Sequence, residues 1–386
     1  MSTKISIVDV KNFNSIPEAV IEAIELIENY FHFDFTKSKN ILLKPNLLTA
    51  KKEACTQPEF IEGVLSYLKN RGVSMNNVYI GDSPGQSQKL GSDVAKDIGI
   101  YEICESNGAN FIDFESSVPI VERIDGALRL NEIHVAKAVK ECDILINLPR
   151  LKSHLEATMT GAIKNYWGII PGGLKAQYHL FGKSTKQFGE VLADNFSWIV
   201  KNKPNRLIVY DLHEIMEGKM GPSAGTMRKW DLILAGTDEL ALDIVALEIG
   251  KIKSKNVPHI KNGIERNLGV GSLEDIEILG LTLEEAINRT PKFKVPGNIF
   301  TSFIAYMSGH IGYKIIKKIP KLIKSKCIQC GECAINCPAE AIEFETNSFP
   351  TFLRKKCISC FCCAELCSQS AIKAKTRGMG GLFSKN

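Results

Sequence analysis

The sequence predicts an α/β fold, with a mainly parallel sheet flanked by helices, followed by a small C-terminal α+β domain. Apolar, β-branched runs alternate with helical stretches between residues 1 and 295, which indicates a sheet covered on both faces. Nine of the twelve cysteines fall between Cys327 and Cys367, so the end of the chain has a different composition. A chain of 386 residues also exceeds the size of one compact core, and we expect several domains.

Each element of the large domain has its own signal. A helix is predicted from Ile16 to Phe31, with Ser15 as its N-cap and Pro17 in its first turn. Another helix is predicted from Asp238 to about Gly250, capped by Thr237. A third is predicted at 58–70, and strands are predicted at 5–10, 41–45, 77–82, 142–149, 206–211 and 231–236.

Two segments lie outside this alternation. The pair Asp125-Gly126 predicts a β-hairpin within residues 110–135, which we place at the edge of the main sheet. Residues 296–325 mix aromatic and aliphatic residues with lysines and are predicted to form a basic helical linker. The linker is either a connector packed between domains, which we favour, or a membrane-surface or acidic-partner site. Residues 377–386 are predicted to be a flexible tail.

Composition narrows the function classes. The net charge of +5 shows no basic clustering on a nucleic-acid-binding motif, so no nucleic-acid partner is expected. No apolar run is long enough for a transmembrane helix. The N-terminal residues carry no signal-peptide pattern, and we therefore expect a reducing, cytoplasmic location. Disulfides are disfavoured there, which makes metal the better explanation for the cysteines. The Lys-, Ile- and Asn-rich composition fits an anaerobe.

The cysteines form two copies of one spacing. Cys327, Cys330, Cys333 and Cys337 follow the pattern C-x2-C-x2-C-x3-C, and Pro338 comes next; the pattern returns thirty residues later at Cys357, Cys360, Cys363 and Cys367. This spacing is typical of [4Fe–4S] clusters, in which the fourth cysteine of each motif binds the other cluster. The sequence therefore predicts two clusters, one on Cys327, Cys330, Cys333 and Cys367 and the other on Cys357, Cys360, Cys363 and Cys337.

The repeat also covers the residues after each loop, since AINCPAEAIEF at 334–344 is similar to AELCSQSAIKA at 364–374. Residues 326–376 resemble bacterial two-cluster ferredoxins, which implies a ferredoxin-like domain. A pair of zinc sites is the competing interpretation, but zinc sites do not need the third cysteine of each loop. Ser368 stands where the first motif has Pro338. Cys362 is an extra thiol, either a small packed residue, which we favour, or an alternative ligand.

Polar residues follow three strands of the large domain. They lie in the stretches Lys44–Leu48, Gly81–Gln86 and Asn147–Gly173. Ligands of open α/β sheets bind outside the carboxyl ends of the strands. These stretches are similar to the family known as domain of unknown function 362, which is often fused to ferredoxin modules. The resemblance covers most of residues 1–295 and implies a domain definition more than a reaction.

The candidate site residues suit an anionic ligand such as a carboxylate or phosphate. Candidate catalytic residues are His154, Lys164 and Asp82. Candidate substrate-binding residues are Lys44, Asn46, Ser83, Lys152, Thr160 and Asn165.

Each assignment has a structural alternative. The lysines could be unpaired surface residues, Asp82 could cap the next helix, and His154 could be a hydrogen-bonded structural residue rather than a general acid or base. Asp211, His213, Glu214 and Asp243 are further candidates. A Walker A loop and a G-x-G-x-x-G turn are missing from the sequence, so no nucleotide site of those types is indicated.

Three functions remain open. The first is an iron–sulfur redox enzyme, such as a ferredoxin-linked reductase, in which two [4Fe–4S] clusters relay low-potential electrons to an anionic substrate or cofactor at the strand ends. The second is a non-enzymatic electron carrier whose α/β domain docks a partner oxidoreductase. The third is non-redox chemistry beside structural or regulatory clusters. An electron donor or acceptor protein is the expected partner, whereas membrane-surface contact is not favoured.

Overall fold

The structure, a computed structural model, describes residues 3–85, 90–218, 221–296 and 318–376. The predicted flexible tail at 377–386 and most of the predicted linker, residues 297–317, lie outside these ranges. No helix in the described residues is long and apolar enough to cross a membrane.

A mixed, mainly parallel sheet of ten strands forms the centre of the large domain. Its strands are β1 (Thr3–Asp9), β2 (Ile41–Lys44), β3 (Val78–Ile80), β4 (Asn110–Phe111), β7 (Ile144–Asn147), β8 (Arg150–His154), β9 (Thr158–Thr160), β10 (Arg206–Glu217), β11 (Thr226–Gly236) and β12 (Ile276–Gly280), and a separate hairpin contains β5 (Ile120–Arg123) and β6 (Glu132–Val135). The main order is β12-β1-β11-β10-β7-β2-β3-β4, with β8 and β9 branching from β10. The contacts of β11 with β1 and β10 are antiparallel, whereas β10, β7, β2, β3 and β4 run parallel.

Helices cover both faces of this sheet. They are α1 (Ile16–Glu25), α2 (Pro58–Asn70), α3 (Gly91–Ile98), α4 (Ile100–Asn107), α5 (Lys137–Glu141), α6 (Ala162–Asn165), α7 (Leu174–Tyr178), α8 (Thr185–Asn202), α9 (Glu239–Ile249), α10 (Pro258–Glu265) and α11 (Leu283–Arg289). Along β7, Ile144 and Ile146 pack into the core that includes α1 and α2, whereas Leu145 packs into the core that includes α8 and α9. This alternation explains why the strand reads as one apolar run.

Most predicted elements of this domain are confirmed, but helix α1 ends at Glu25 and not at the predicted Phe31. Helix α2 has the predicted bounds, and Ser15 caps α1 by accepting a hydrogen bond from the Glu18 N–H at 3.3 Å. The predicted cap of α9 is wrong by one residue. The Asp238 carboxylate, rather than Thr237, accepts from the Ala241 N–H at 3.0 Å.

The hairpin forms, but its predicted place at the edge of the main sheet is wrong. Strands β5 and β6 pair only with each other among the described strands. Ile124, Leu130 and Ile133 pack into the same core as α8. The loop between the strands is held by Asp194 of α8, which accepts hydrogen bonds from three consecutive backbone N–H groups, those of residues 128–130. The hairpin is therefore held by packing against α8 and not by pairing with a strand of the main sheet.

The small domain consists of two similar halves. It contains β13 (Lys318–Leu322), α12 (Glu332–Ile335), β14 (Ile342–Glu343), β15 (Thr351–Phe352), α13 (Cys362–Glu365) and β16 (Ile372–Thr376), and the antiparallel pairs are β13 with β16 and β14 with β15. Within the predicted helical linker at 296–325, the described residues 318–322 form strand β13 of this domain and lead into a 3-10 turn at Lys324–Lys326, so the predicted helix is wrong for this part.

Candidate functional site

The two cysteine loops adopt the same backbone conformation. Gln329 and Gly331 have φ angles of 58° and 79°, and the equivalent residues Ser359 and Phe361 have angles of 64° and 62°. These left-handed residues flank the second cysteine of each loop and bend the chain back on itself. In the equivalent places of the two halves, the Cys337 and Cys367 sulfur atoms accept hydrogen bonds from the Ala341 and Ala371 N–H groups, both at 3.2 Å.

The thiols lie in two groups, and each group contains the fourth cysteine of the other motif. A cavity of about 20 Å³ is lined by Cys327, Cys330, Cys333 and Cys367. Burial raises the pKa of Cys333 to about 11, and the nearby thiols of that same group add to the increase. Cys337 belongs to the other group, because burial and then the Cys360 and Cys357 thiols raise its pKa.

This donor set fits a pair of four-iron cubes. Each group offers four thiol sulfurs, the soft ligands that such clusters use, and the fourth sulfur comes from the other motif in both. Among the residues that the structure describes, no three side chains of His, Cys, Asp and Glu converge closely enough for one metal ion. A cube is wider than one ion and takes its thiolates at separate corners.

The predicted residues of the large domain meet at a second cavity, of about 90 Å³, at the carboxyl ends of the parallel strands. Seven of the nine candidates line it, namely Asn46, Asp82, Ser83, Lys152, Thr160, Lys164 and Asn165. Lys44 and His154 are not among its lining residues. The opposite wall comes from the small domain, through Cys362, Glu365 and Leu366. The cavity therefore lies between the strand ends and the second cysteine motif.

Lys44 and Asp82 form a buried ion pair beneath the cavity. The Lys44 Nζ lies 2.7 Å from Asp82 Oδ1, and the other carboxylate oxygen accepts from the Leu47 N–H at 2.7 Å. Burial lowers the pKa of Lys44, and the Asp82 carboxylate opposes this effect. Asp82 does not cap a helix within the described residues. Its role in the fold is to fix the end of β2, and it presents an already paired charge to the cavity.

Lys152 is fully buried at the centre of β8. Its ammonium group donates to the Asn46 side-chain oxygen and to the Ala54 carbonyl. Burial lowers the pKa of Lys152 to about 7. Near neutral pH this side chain is therefore divided between its charged and neutral forms, which makes its charge responsive to a bound anion.

Lys164 is the cavity-lining lysine with no hydrogen bond or salt bridge to any residue in the described ranges. Helix α6, which carries it, is held by Asp243 of α9. That carboxylate accepts from the Ala162 and Ile163 N–H groups at 2.8 and 3.0 Å. Burial lowers the pKa of Lys164, while nearby Glu365 and Glu156 raise it. Among the lysines that line the cavity in the described residues, Lys164 is the one whose ammonium donors are all unused.

Asn165 follows Lys164 and is fixed by other amides. Its Nδ2 donates to the Asn147 Oδ1 at 2.7 Å, whereas Asn147 donates to the Ala162 carbonyl at 2.9 Å. These bonds determine the orientation of both amides. The Asn165 Oδ1 is then left buried without a partner in the described structure. Thr160 uses its hydroxyl to donate to the Arg150 carbonyl at 3.1 Å.

His154 connects the two domains. Its Nδ1 accepts hydrogen bonds from the Glu156 and Ala157 N–H groups, both at 3.1 Å, so Nε2 carries the proton. That nitrogen lies 3.1 Å from a Glu365 carboxylate oxygen of the small domain. Burial lowers the pKa of His154 well below its usual value, so the ring is neutral. This geometry is that of a hydrogen-bonded structural histidine.

Sequence reasoning missed one side of the cavity. Lys175 and His179 lie four residues apart on the short helices after the Pro171–Gly173 turn, and Trp167 precedes this turn. Lys175 Nζ donates to the Ser83 and Pro84 carbonyls at 2.8 and 2.7 Å and to the Ser83 hydroxyl. Burial lowers its pKa to about 8. The signal available in the sequence was the spacing of a lysine and a histidine by one helical turn.

His179 belongs to a buried ion pair. Its Nδ1 lies 2.8 Å from Glu156 Oε2, and its ring stacks on Phe188 with centroids 4.4 Å apart. Although burial lowers the pKa of His179, the attraction of Glu156 and of the Cys360 thiolate raises it overall. His179 therefore lines the cavity, whereas the sequence analysis predicts His154 as the histidine of the site.

The further candidates from the sequence do not line the cavity, but some of them contact residues that do. Asp211 and Glu214, for example, bind Arg150. Arg150 lines the cavity, but its guanidinium is bound by Glu214, by the Cys55 carbonyl at 2.8 Å and by Asp211 at 3.3 Å. His213 Nδ1 lies 3.1 Å from an Asp231 oxygen. None of Asp211, His213, Glu214 and Asp243 lines the cavity.

Comparison with known proteins agrees with both parts of the chain. Residues 41–248 match the family described as domain of unknown function (DUF362), and residues 320–343 match the 4Fe-4S binding domain. The thylakoid-associated protein sll1697 of Synechocystis sp. (strain ATCC 27184 / PCC 6803 / Kazusa) is 32% identical over 227 residues, which cover 56% of this chain and 65% of the relative. The chain thus spans just under two thirds of the length of that relative.

Solved structures show more distant likenesses. The lactate racemase apoprotein from Thermoanaerobacterium thermosaccharolyticum is 15% identical, with a TM-score of 0.42 over 65% of this chain and 57% of that one. A protein from Thermotoga maritima is 14% identical, with a TM-score of 0.35 over 55% of each chain.

Proposed function

Because the chain belongs to the DUF362 family and carries a 4Fe-4S binding domain, we propose that it is a ferredoxin-linked reductase acting on a small anionic substrate or cofactor. The 4Fe-4S domain gives the chain an iron–sulfur electron-transfer role. The proposal adds that two four-iron clusters are bound and that electrons pass to a ligand in the 90 Å³ cavity. When bound, the clusters would supply single low-potential electrons.

One observation supports this proposal above the others. The cavity is closed on one side by the strand ends of the α/β domain and on the other by Cys362, Glu365 and Leu366 of the second cysteine motif. A ligand there would contact the anion-binding lysines and the cluster-binding motif at once. An electron carrier with a docking adaptor has no need for such a shared cavity.

Different lining residues would bind different groups of the ligand. Lys164 has an unused ammonium group that suits a carboxylate or phosphate, and Lys152 can add a second charge. Asn165 offers the unpaired Oδ1 to a donor on the ligand. The small volume restricts the ligand to a small molecule or to the end of a larger one.

Reduction of most organic groups requires protons as well as electrons. His179 lines the cavity, and its pairing with Glu156 favours the protonated ring. We assign His179 the role of proton donor to the reduced ligand, with Glu156 holding the ring in place. His154 has no such role in this proposal, because it does not line the cavity and its Nδ1 already accepts hydrogen bonds from the backbone.

The cluster content is tested first. Anaerobically purified protein should contain about eight irons and eight sulfides per chain, from two four-iron clusters. Its reduced form should give two interacting EPR signals. Four irons or fewer would mean that one motif, with the one ending Cys367-Ser368 as the first suspect, holds no cluster.

The catalytic proposal is then tested by reoxidation. The reduced protein is mixed with candidate small carboxylates and phosphate esters, and cluster absorbance is followed. Lys164→Gln should raise the concentration needed for half-maximal reoxidation about tenfold or more, because it removes a charge-assisted hydrogen bond of about 1.5–3 kcal/mol. Lys39→Gln is the matched control, since Lys39 is exposed beside β2 at the end opposite the cavity.

Two results would count against the reductase. If no candidate reoxidises the protein and none binds, the cavity has no small anionic substrate among the classes tried. If electrons reach a partner oxidoreductase equally well in Lys164→Gln and the wild type, the carrier function becomes the better explanation.

A further inference from the structure

The two cysteine loops differ in their accessibility although their spacing is the same. In the first loop Cys330 is exposed and Ile328 exposes 61% of its surface. In the second loop the equivalent Cys360 is buried, as are Phe361 and Cys362. The two ends of the small domain therefore present different surfaces.

The second loop is covered by the α/β domain. Glu365 lies beside His154, the Ser370 hydroxyl accepts from the Lys51 ammonium group at 3.1 Å, and Leu155 packs against the small core around Phe361. A protein partner cannot reach this loop without displacing these contacts. The first loop is the accessible end.

The surface around the first loop combines apolar and basic residues. Lys324 lies over the ring of the partly exposed Phe349, with its ammonium group 5.2 Å from the ring centroid. Lys326 is also exposed and immediately precedes Cys327, and exposed Ile328 follows. An apolar centre with a rim of charge is the usual composition of transient protein interfaces. Lysines on this rim select an acidic partner.

We propose that Lys324, Lys326, Ile328 and Phe349 form the docking surface for a small acidic one-electron carrier protein, which is oxidised by one electron as the first cluster site is reduced by one. The second cluster site then faces the cavity. This inference rests on the proposed binding of two clusters but not on reduction of any cavity ligand. No bond is made or broken in the step.

Charge alone does not choose between the two loops. Arg354, Lys355 and Lys356 precede the second motif and are exposed, as Lys324 and Lys326 are before the first. The choice comes from the covered second loop and the open first one. This similarity supplies a matched control, because equal charge reversals can be made beside each loop.

The probe is a purified acidic bacterial ferredoxin, chemically reduced and mixed with the oxidised holoprotein without any cavity ligand. Stopped-flow absorbance gives the rate constant, and calorimetry gives the affinity of the two proteins. The wild-type rate constant should fall steeply as salt rises. Lys324→Glu with Lys326→Glu should lower it about tenfold or more at low salt, whereas Lys355→Glu with Lys356→Glu should lower it about twofold.

Iron content and the rate of reduction by dithionite must match the wild type in both variants, so that cluster loss is not mistaken for lost docking. Equal losses in the two double variants, or a wild-type rate independent of salt, would overturn the docking surface. Because no ligand is present, failure of the reductase proposal would leave this result unchanged.

Discussion

Gly168 shows how closely single residues are fitted around the buried pair of Lys44 and Asp82. A Cβ atom at this position would lie 2.1 Å from Asp82 Oδ1 and 2.8 Å from Lys44 Nζ. Both atoms belong to a pair that is shielded from water. Any side chain here must displace one of the charges.

Gly168→Ala is therefore expected to destabilise the α/β domain by about 3–5 kcal/mol, the usual cost of breaking a buried ion pair. Gly173→Ala is the control, because an added Cβ there meets no atom within 4 Å, and it should change stability by less than about 0.5 kcal/mol. Thermal unfolding followed by circular dichroism measures both. Similar melting temperatures for the two variants would show that the pair adjusts freely.

The charge of the cavity should depend on pH. Lysine loses its positive charge as pH rises through its pKa, which burial sets at about 7 for Lys152 and about 8 for Lys175. Burial raises the pKa of Glu365 to about 7, so this side chain gains negative charge over the same interval. All three changes make the cavity less positive as pH rises.

We expect the affinity for a small anion to fall about tenfold or more between pH 6 and pH 8.5, since each lost charge-assisted bond contributes about 1.5–3 kcal/mol. Lys152→Gln should bind the anion more weakly at pH 6 and show a smaller decrease with pH. Calorimetric titration at several pH values measures this. An affinity that rises with pH would contradict the proposed charge states.

At the scale of elements, helix α6 depends on a side chain distant in sequence. Its first N–H groups are satisfied by Asp243 of α9, and Gly161 allows the approach because an added Cβ would lie 2.1 Å from Asp243 Oδ1. Lys164 and Asn165 lie on this one turn of helix. The position of the proposed anion-binding groups is thus set by α9.

Asp243→Ala should lower the free energy of unfolding by about 2–3 kcal/mol, because it leaves two buried N–H groups without acceptors. It should also weaken anion binding, although Asp243 does not line the cavity. Asp243→Asn keeps one acceptor oxygen and should lose less of both. Denaturant titration and anion affinity are the two measurements, and unchanged affinity in Asp243→Ala would separate α9 from the site.

The same elements show what the sequence can predict. The bounds of α2 could be predicted because Pro58 and Gly72 mark its ends within the local sequence. The sequence predicts only the inner half of the long antiparallel pair β10–β11, at 206–211 and 231–236. Its outer half contains His213 and Glu214 beside a register shift, and these polar residues interrupt the apolar pattern. Strand partners such as β1 with β11 depend on distant segments, which leave no local signal.

The site follows the same division. Residues that closely follow parallel strands, such as Asn46 after β2 and Asp82 after β3, could be assigned to one edge of the sheet because parallel strands end together. Lys175 and His179 come from short helices that no motif marks. The wall that the small domain contributes, with Cys362, Glu365 and Leu366, forms only when one domain docks on the other. Patterns along the chain do not encode that docking.

At the scale of the whole molecule, cluster binding and the cavity should be coupled. Residues 362–366 include Cys363, the third ligand candidate of the second motif, and the fourth, Cys367, comes next. Metal binding commonly supplies the free energy that orders such small domains. A chain without clusters should therefore lose the order of one cavity wall while the α/β domain stays folded around its own core.

Removal of the clusters by chelation under oxidising conditions should weaken anion binding about tenfold or more in the full-length chain, because Lys164 would face water instead of a closed cavity. The repeat provides a sharper form of this test. Cys357→Ser and Cys327→Ser remove equivalent ligands, but only the second motif contributes to the cavity among the described residues. Cys357→Ser should therefore reduce anion affinity more than Cys327→Ser, with iron content measured for both. Equal affinities would mean that the wall is ordered by its contacts with His154 and Lys51 alone, and that the clusters act on the cavity only through electrons.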